Sequence, residues 1–115
     1  MGFKEQLLAL PLKEEAIDIP GVGQAVVREL SAAEQDAYWA AVTTTDKDGK
    51  ASVVRGSVRL ELVARSLRNG DGQRVFADEE VAQLRAVPSS VVTRVFLAAQ
   101  RLNGMDQEDG ELKGN

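Results

Sequence analysis

Asn69, Asp71, Asp78, Glu79 and Glu80 fall within a dozen positions of the stretch "LRNGDGQRVFADEEVAQL", Leu67 to Leu84, together with Gly70 and Gly72. Oxygen-bearing side chains around glycines are what a hard cation requires, and paired acids are what glycoside hydrolysis requires. A calcium EF-hand loop places ligands at its first, third and fifth positions, glycine at the sixth and a bidentate glutamate at the twelfth. With Gly72 as the sixth position, the first ligand would be Leu67; with Gly49 as the sixth, Asp46 and Asp48 fit but the twelfth is Arg55. Both frames fail. A sugar cleft is usually rich in aromatics, and aromatic residues make up only 4% of this chain. An enzyme would have to line a deep pocket with perturbed carboxylates such as Asp71, Asp78 or Glu80. Backbone needs explain the same residues more simply. Asn69-Gly70-Asp71-Gly72 turns the chain, Arg74 to Ala77 run extended, and Asp78 caps a short helix whose first turn holds Glu79 and Glu80, where the helix dipole favours negative charge.

The composition points away from catalysis as well. The 115 residues contain no cysteine and no histidine, which removes thiolate nucleophiles, imidazole bases, disulfides and the commonest ligands of zinc, copper and iron. No catalytic residue, metal ligand or cofactor-binding residue is therefore assigned. With 43% hydrophobic and 28% charged residues, the chain is expected to fold as one globular domain over 1–104, followed by an acidic, disordered tail over 105–115. A formal net charge of −4 lacks the electrostatic footprint of a nucleic-acid binder, which would show salt-sensitive binding. No run approaches the ~20 apolar residues of a membrane span, and "MGFKEQLLALPLKEE" is too interrupted for a signal peptide. A cytoplasmic protein is expected.

The elements that must carry any site can be read in order. "EEAIDIPGVGQAVVREL" alternates around Pro20-Gly21-Val22-Gly23, the pattern of a β-hairpin with a short loop. It has neither the Lys-Ser/Thr of a P-loop nor the glycine spacing of a dinucleotide-binding turn. Ser31 with Glu34 forms a capping box for a helix to about Val42. Within that helix Tyr38 and Trp39 suit core packing or an interface better than a stacking platform, because no convergent polar groups adjoin them. "TTTDKDGKAS" reads as a flexible polar loop. "SVVRGSVRLELVARSLRN" predicts a helix with two apolar stripes, one of Val53, Leu60, Val63, Ala64 and Leu67, the other of Val54, Val58 and Leu62. Two stripes need two covers. This helix either runs through the middle of the fold or turns one stripe to another subunit. Arg55 and Arg59 share a strip on it, whereas Arg65 and Arg68 project elsewhere, so the four do not form one ridge. Gly56, which costs about 1 kcal/mol against alanine in a helix, would permit close packing. Pro88 ends a helix, Ser89 or Ser90 caps the next, and that last helix is apolar at Val91, Val92, Val95, Phe96, Ala99 and Leu102, ending at Asn103-Gly104.

The expected architecture is thus α+β and mainly helical: an N-terminal β-hairpin followed by about four helices, with a short extended segment before the third. Surplus apolar helix faces suit a protein that holds other proteins. Val54, Val58 and Leu62 are the first candidate interaction surface, and Val91, Val95 and Leu102 the second.

The order "LLALPLKEEAIDIPGVGQAVVRELSAAEQDAY", then "RVFADEEVAQLRAVPSSVVTRVFLAAQRLNGM", resembles the tail assembly chaperones of long, non-contractile-tailed phages and prophages. Three features carry the resemblance: the Pro-Gly-Val-Gly hairpin leading into "VRELS", the "VFADEEV" helix start and the final "LNG". It runs from about Leu7 to Met105 and is weakest between Val42 and Arg59. The loop Thr43 to Lys50 looks longer than usual for the family, and Ser89-Ser90 replace small apolar residues. The resemblance implies a non-enzymatic assembly factor without cofactor. Such a factor binds the tape measure protein, helps recruit tail tube subunits, associates with itself, acts in the host cytoplasm and is missing from the virion. A minor tail or head-tail connector component is the alternative, and would be found in purified virions. In the family a −1 ribosomal frameshift adds a second domain. Lys113-Gly114-Asn115 is compatible with the codons AAG GGA AAC, which contain the slippery heptamer G GGA AAC, and the gene's codons decide this. A long helical tape measure protein is expected from the gene just downstream.

Overall fold

The structure, a computed structural model, describes residues 2–105, apart from the side chains at positions 55 and 56. The tail over 106–115, with its Lys113-Gly114-Asn115 ending, and the packing around Gly56 lie outside the described residues. In chain order the elements are α1 (Phe3–Leu8), β1 (Glu14–Ile19), β2 (Gly23–Arg28), α2 (Ala32–Val42), β3 (Thr43–Thr45), β4 (Ala51–Val53), α3 (Arg55–Ser66) and β5 (Leu67–Arg68). A 3-10 helix (Asp78–Ala86) and α4 (Ser89–Leu102) complete the fold, which is α+β as expected.

The hairpin forms where proline and glycine dictate it. Val22 N–H donates to Ile19 O at 3.0 Å, and Gly21 has φ +84°, so Pro20-Gly21 occupy the middle of a type II turn that needs glycine at its third position. The register pairs Ile17 with Ala25 and Glu15 with Val27, which turns Ile17, Ala25 and Val27 to the core. β5 adds a third strand, in the order β1-β2-β5, with Val27 opposite Leu67. Leu67 is therefore a sheet residue. α3 is shorter than its apolar pattern predicts, because Val53 ends a strand and Val54 stands at the helix N-cap.

"TTTDKDGKAS" is also more ordered than a flexible loop. β-branched threonines favour extended backbone, and Thr43 to Thr45 pair with Ala51 to Val53 as a two-stranded ribbon. Asp46 closes its turn, its Oδ1 accepting from the Asp48 and Lys50 amides at 2.9 Å each. Such side-chain turns replace backbone pairing with local hydrogen bonds.

Of the two alternatives for α3, the structure realises the first, a central helix packed against α2, α4 and the 3-10 helix. Leu62, Val63 and Ala64 are buried at its middle. The helix beginning at Asp78 is 3-10 over nine residues, longer than the usual few. Its apolar residues Val81 and Leu84, with Val87 just beyond, recur every third position and pack on the core. In a three-residue turn those positions eclipse, so one stripe stays facing inward. Its N-cap is Ala77 rather than Asp78: Glu80 Oε1 accepts from the Ala77 amide at 2.8 Å, which leaves the Asp78 carboxylate for other partners.

α4 buries Val92, Val95, Ala98 and Ala99 along one stripe. Its polar side is tied to β1, with Arg94 donating to Asp18 O at 2.9 Å and Arg101 to both oxygens of Glu15 at 2.9 and 3.2 Å. Asn103 ends the helix and Gly104 follows at φ +73°, the C-terminal signal expected from the sequence. The Asn103 side chain also accepts from the Leu30 amide at 2.9 Å and donates to Ala99 O at 2.8 Å, joining α4 to the chain entering α2. Asn103→Ala leaves a partly buried amide unpartnered and is expected to cost about 1–2 kcal/mol, read as a lower denaturant midpoint at unchanged slope.

Candidate interaction surfaces

The acids of the Leu67–Leu84 stretch do structural work. Asn69 Oδ1 accepts from the Asp71 and Gln73 amides at 2.9 and 3.0 Å, and Gly72 takes φ +84°, which makes the turn. Asp71 and Glu79 point to solvent, and Glu80 is used on Ala77. Asp78 lies 2.8 Å from Arg74 and 3.5 Å from Arg65, and the hydrogen bond from Arg74 holds its carboxyl below the usual value of 3.8. Among the described residues no three potential ligands converge as a metal site.

Because the folded-state pKa of Asp78 is lowered, the unfolded chain binds the proton more readily, and stability rises with pH through this window. The pair's contribution is complete above about pH 4 and is lost as pH falls through the lowered folded value. Asp78→Asn should therefore bring the denaturation midpoints at pH 3 and pH 7 closer together. An unchanged gap would remove Asp78 from the acid response.

The arginines act as internal struts. Arg68 is buried and donates to Gly72 O at 3.1 Å and to Glu34 at 3.3 Å. Burial, reinforced by neighbouring Arg28, pushes its pKa down. Glu34 meets Arg28 at 3.7 Å as well, while its other oxygen completes the capping box on Ser31. Arg65 pairs with Glu61 at 3.3 Å, and Arg59 reaches Thr93 Oγ1 at 3.4 Å. Spent on carboxylates, a carbonyl and a hydroxyl from several elements, these guanidinia do not line up along one face.

What the surface offers is apolar. On α2, Tyr38 is buried while its neighbour Trp39 stays 43% exposed, the two rings meeting edge to face at 5.1 Å. Burial and the Glu61 carboxylate both raise the Tyr38 pKa. Val53 and Val54 are also exposed, and the Val54 amide donates to Val42 O, so they lie at the same end of α2 as Trp39. A second feature is an apolar groove of about 330 Å³ between the hairpin turn, the segment before the 3-10 helix and the start of α4. Val22 and Val75 stand exposed at its edge, Val91 forms a wall, and Leu84, Val92 and Val95 lie deeper.

The sequence candidates distribute unevenly over these features. Val54 is exposed ahead of α3, Val58 packs partly against the core, and Leu62 has no exposed surface, so the three do not share one outer face. Val91 and Val95 meet in the groove, Val95 fully buried beneath it, while Leu102 packs on the core farther along α4. Val22, Val75 and Phe76 join the groove from segments that carry no helical pattern. A valine within a four-residue turn is the one local signal for Val22.

The chain is a small α+β protein built around a hairpin and a central helix, and its candidate surfaces are apolar. The chain shares its fold with the tail assembly chaperone of bacteriophage HK97: the superposition covers 88% of this chain and 98% of that one at a TM-score of 0.57, with 22% sequence identity. No protein-family model matches the chain. No curated protein matches it significantly.

Proposed function

We propose that this protein is a non-enzymatic chaperone of phage tail assembly. It binds the tape measure protein and helps gather tail tube subunits around it in the host cytoplasm, then leaves before the virion is complete. The fold shared with the HK97 tail assembly chaperone carries this reading. The exposed Trp39 supports it, since aromatic side chains held on the surface are the usual anchors of protein interfaces, and Val53 and Val54 extend the apolar surface beside it. A −1 frameshifted, longer form belongs to the same proposal and is tested by the codons at 113–115 and by an open frame overlapping downstream.

The decisive experiment deletes the gene from its phage and analyses the particles. Deletion should leave heads without tails, the tape measure protein should co-purify with the chain from infected cells, and purified virions should lack the chain. Stoichiometric presence in virions would instead make it a minor tail or connector component.

A further inference from the structure

We propose that the outer edge of β1 takes up an extended segment of another protein as an added antiparallel strand, and that this segment carries lysine or arginine at the positions facing Glu14 and Asp18. None of the observations behind it depends on the role in tail assembly.

The edge is open by the register of the hairpin itself. In the order β1-β2-β5, β1 ends the sheet and has a single strand neighbour. Lys13 O accepts from the Glu29 amide at 2.9 Å, one step beyond the pair Glu14 and Arg28. Hydrogen-bonded pairs alternate along an antiparallel ladder, so Lys13, Glu15, Ile17 and Ile19 turn their amides and carbonyls to β2, and Glu14, Ala16 and Asp18 turn theirs outward. The Asp18 carbonyl agrees with this phase, since it accepts from Arg94 on α4. Glu14, Ala16 and Asp18 are all exposed. Arg94 covers that one carbonyl, and the rest of a six-residue edge is left as a template for a further strand.

The surroundings of the edge define what would fit it. A groove of about 360 Å³ runs between residues 15–18 and Arg94, Leu97 and Arg101 of α4. An added strand would point alternate side chains into it, and the half-exposed Leu97 makes aliphatic ones suitable there. The remaining side chains would lie beside Glu14, Ala16 and Asp18. The Glu14 and Asp18 carboxylates form no ion pair among the described residues, whereas the basic groups of α4 are already used, Arg101 on Glu15 and Arg94 on the Asp18 carbonyl. Opposite charges on neighbouring strands stabilise the pairing and like charges directly opposite destabilise it, so lysine or arginine belongs across from Glu14 and Asp18. The same rule disfavours a second copy as the occupant. β1 laid antiparallel on β1 about Ala16 would set Glu14 opposite Asp18, in a chain whose net charge is already −4.

The test titrates the isotopically labelled full chain with the peptide acetyl-Gly-Lys-Val-Ala-Val-Lys-Gly-amide, whose lysines face Glu14 and Asp18 when its alanine faces Ala16. The backbone amide resonances of Ala16 and Asp18 should move downfield and saturate, while those of Glu15 and Ile17, already bonded to β2, should move least. Methylating the alanine nitrogen of the peptide keeps every charge and removes a donor to β1, and should weaken binding by about tenfold or more. Ala16→Pro removes the outward amide of the chain without touching the β1-β2 ladder, so it should weaken binding as much while circular dichroism stays unchanged. Glu14→Gln with Asp18→Asn, both exposed, should weaken it by about tenfold through lost charge, and reads the proposal even if proline disturbs the hairpin. Absence of a saturable shift at Ala16 and Asp18 would overturn the proposal. A methylated peptide that binds like its parent would overturn it too, since the attraction would then be one of charge alone. Equal binding of a peptide with the β1 sequence, "EEAIDI", would do the same, because the edge would then suit a second copy.

Discussion

Leu62→Ala is expected to lower the stability of the fold by about 2–5 kcal/mol, a large part of the roughly 5–15 kcal/mol that holds a domain of this size. Leu62 has no exposed surface and sits on the helix that α2, α4 and the 3-10 helix all cover. Truncation removes buried methyl groups and leaves a cavity that three elements would have to close together. Urea denaturation should show a much lower midpoint, and Leu62→Glu should cost far more, because it takes a carboxylate out of water at a position with no exposed surface. Val58→Glu serves as the comparison: Val58 is only partly buried, so the charge can turn to water and the cost should be far smaller. Equal losses at the two positions would contradict the placement of α3 at the centre.

On the proposed function, Trp39→Glu combined with Val53→Glu should leave the fold intact and weaken capture of the tape measure protein by about tenfold or more. Both residues are about half exposed, so little core packing is lost. Truncation of a tryptophan anchor typically costs an interface about 2 kcal/mol or more, and placing a carboxylate there adds desolvation. Co-expression with the tape measure protein, followed by affinity capture and a circular dichroism spectrum of the variant, reads both outcomes. If the variant is folded and captures its partner as wild type does, this end of α2 is not the contact.

Several local features are legible in the sequence. Ser31 and Glu34 form their capping box, Pro20-Gly21 turn the hairpin, Asn69 to Gly72 turn the chain, and Asn103-Gly104 end α4. Others are hidden. The α1 segment, none of whose residues is buried, precedes the hairpin that the sequence reading places first. Thr43 to Thr45 sit in a stretch whose polar composition signals a loop, although their β-branched side chains suit the ribbon they form. The 3-10 geometry is present in the three-residue spacing of Val81, Leu84 and Val87, but an apolar run this short does not distinguish the two helix types.

The candidate surfaces are less legible than the fold. Sequence periodicity puts Val54, Val58 and Leu62 in one stripe, yet Val54 precedes the helix and Leu62 lies at its buried centre. The groove draws on residues from the hairpin turn, the segment around Val75 and the start of α4, which no single-element pattern joins.

The amino-acid sequence alone determined the hairpin and Asn69–Gly72 turns, the capping box at Ser31 and the helix end at Asn103-Gly104, and that neither imidazole nor thiol is present to do chemistry. Those outcomes depend on side-chain types and on hydrogen bonds reaching a few residues along the chain. The N-caps expected at Asp78 and at Ser89 or Ser90 fall instead at Ala77 and Pro88. The tertiary structure decided which apolar stripe would be core and which surface, because burial depends on what covers a residue. Val95 and Val22 are alike as side chains, and only the packing of α4 against the hairpin makes one a floor and the other an open rim.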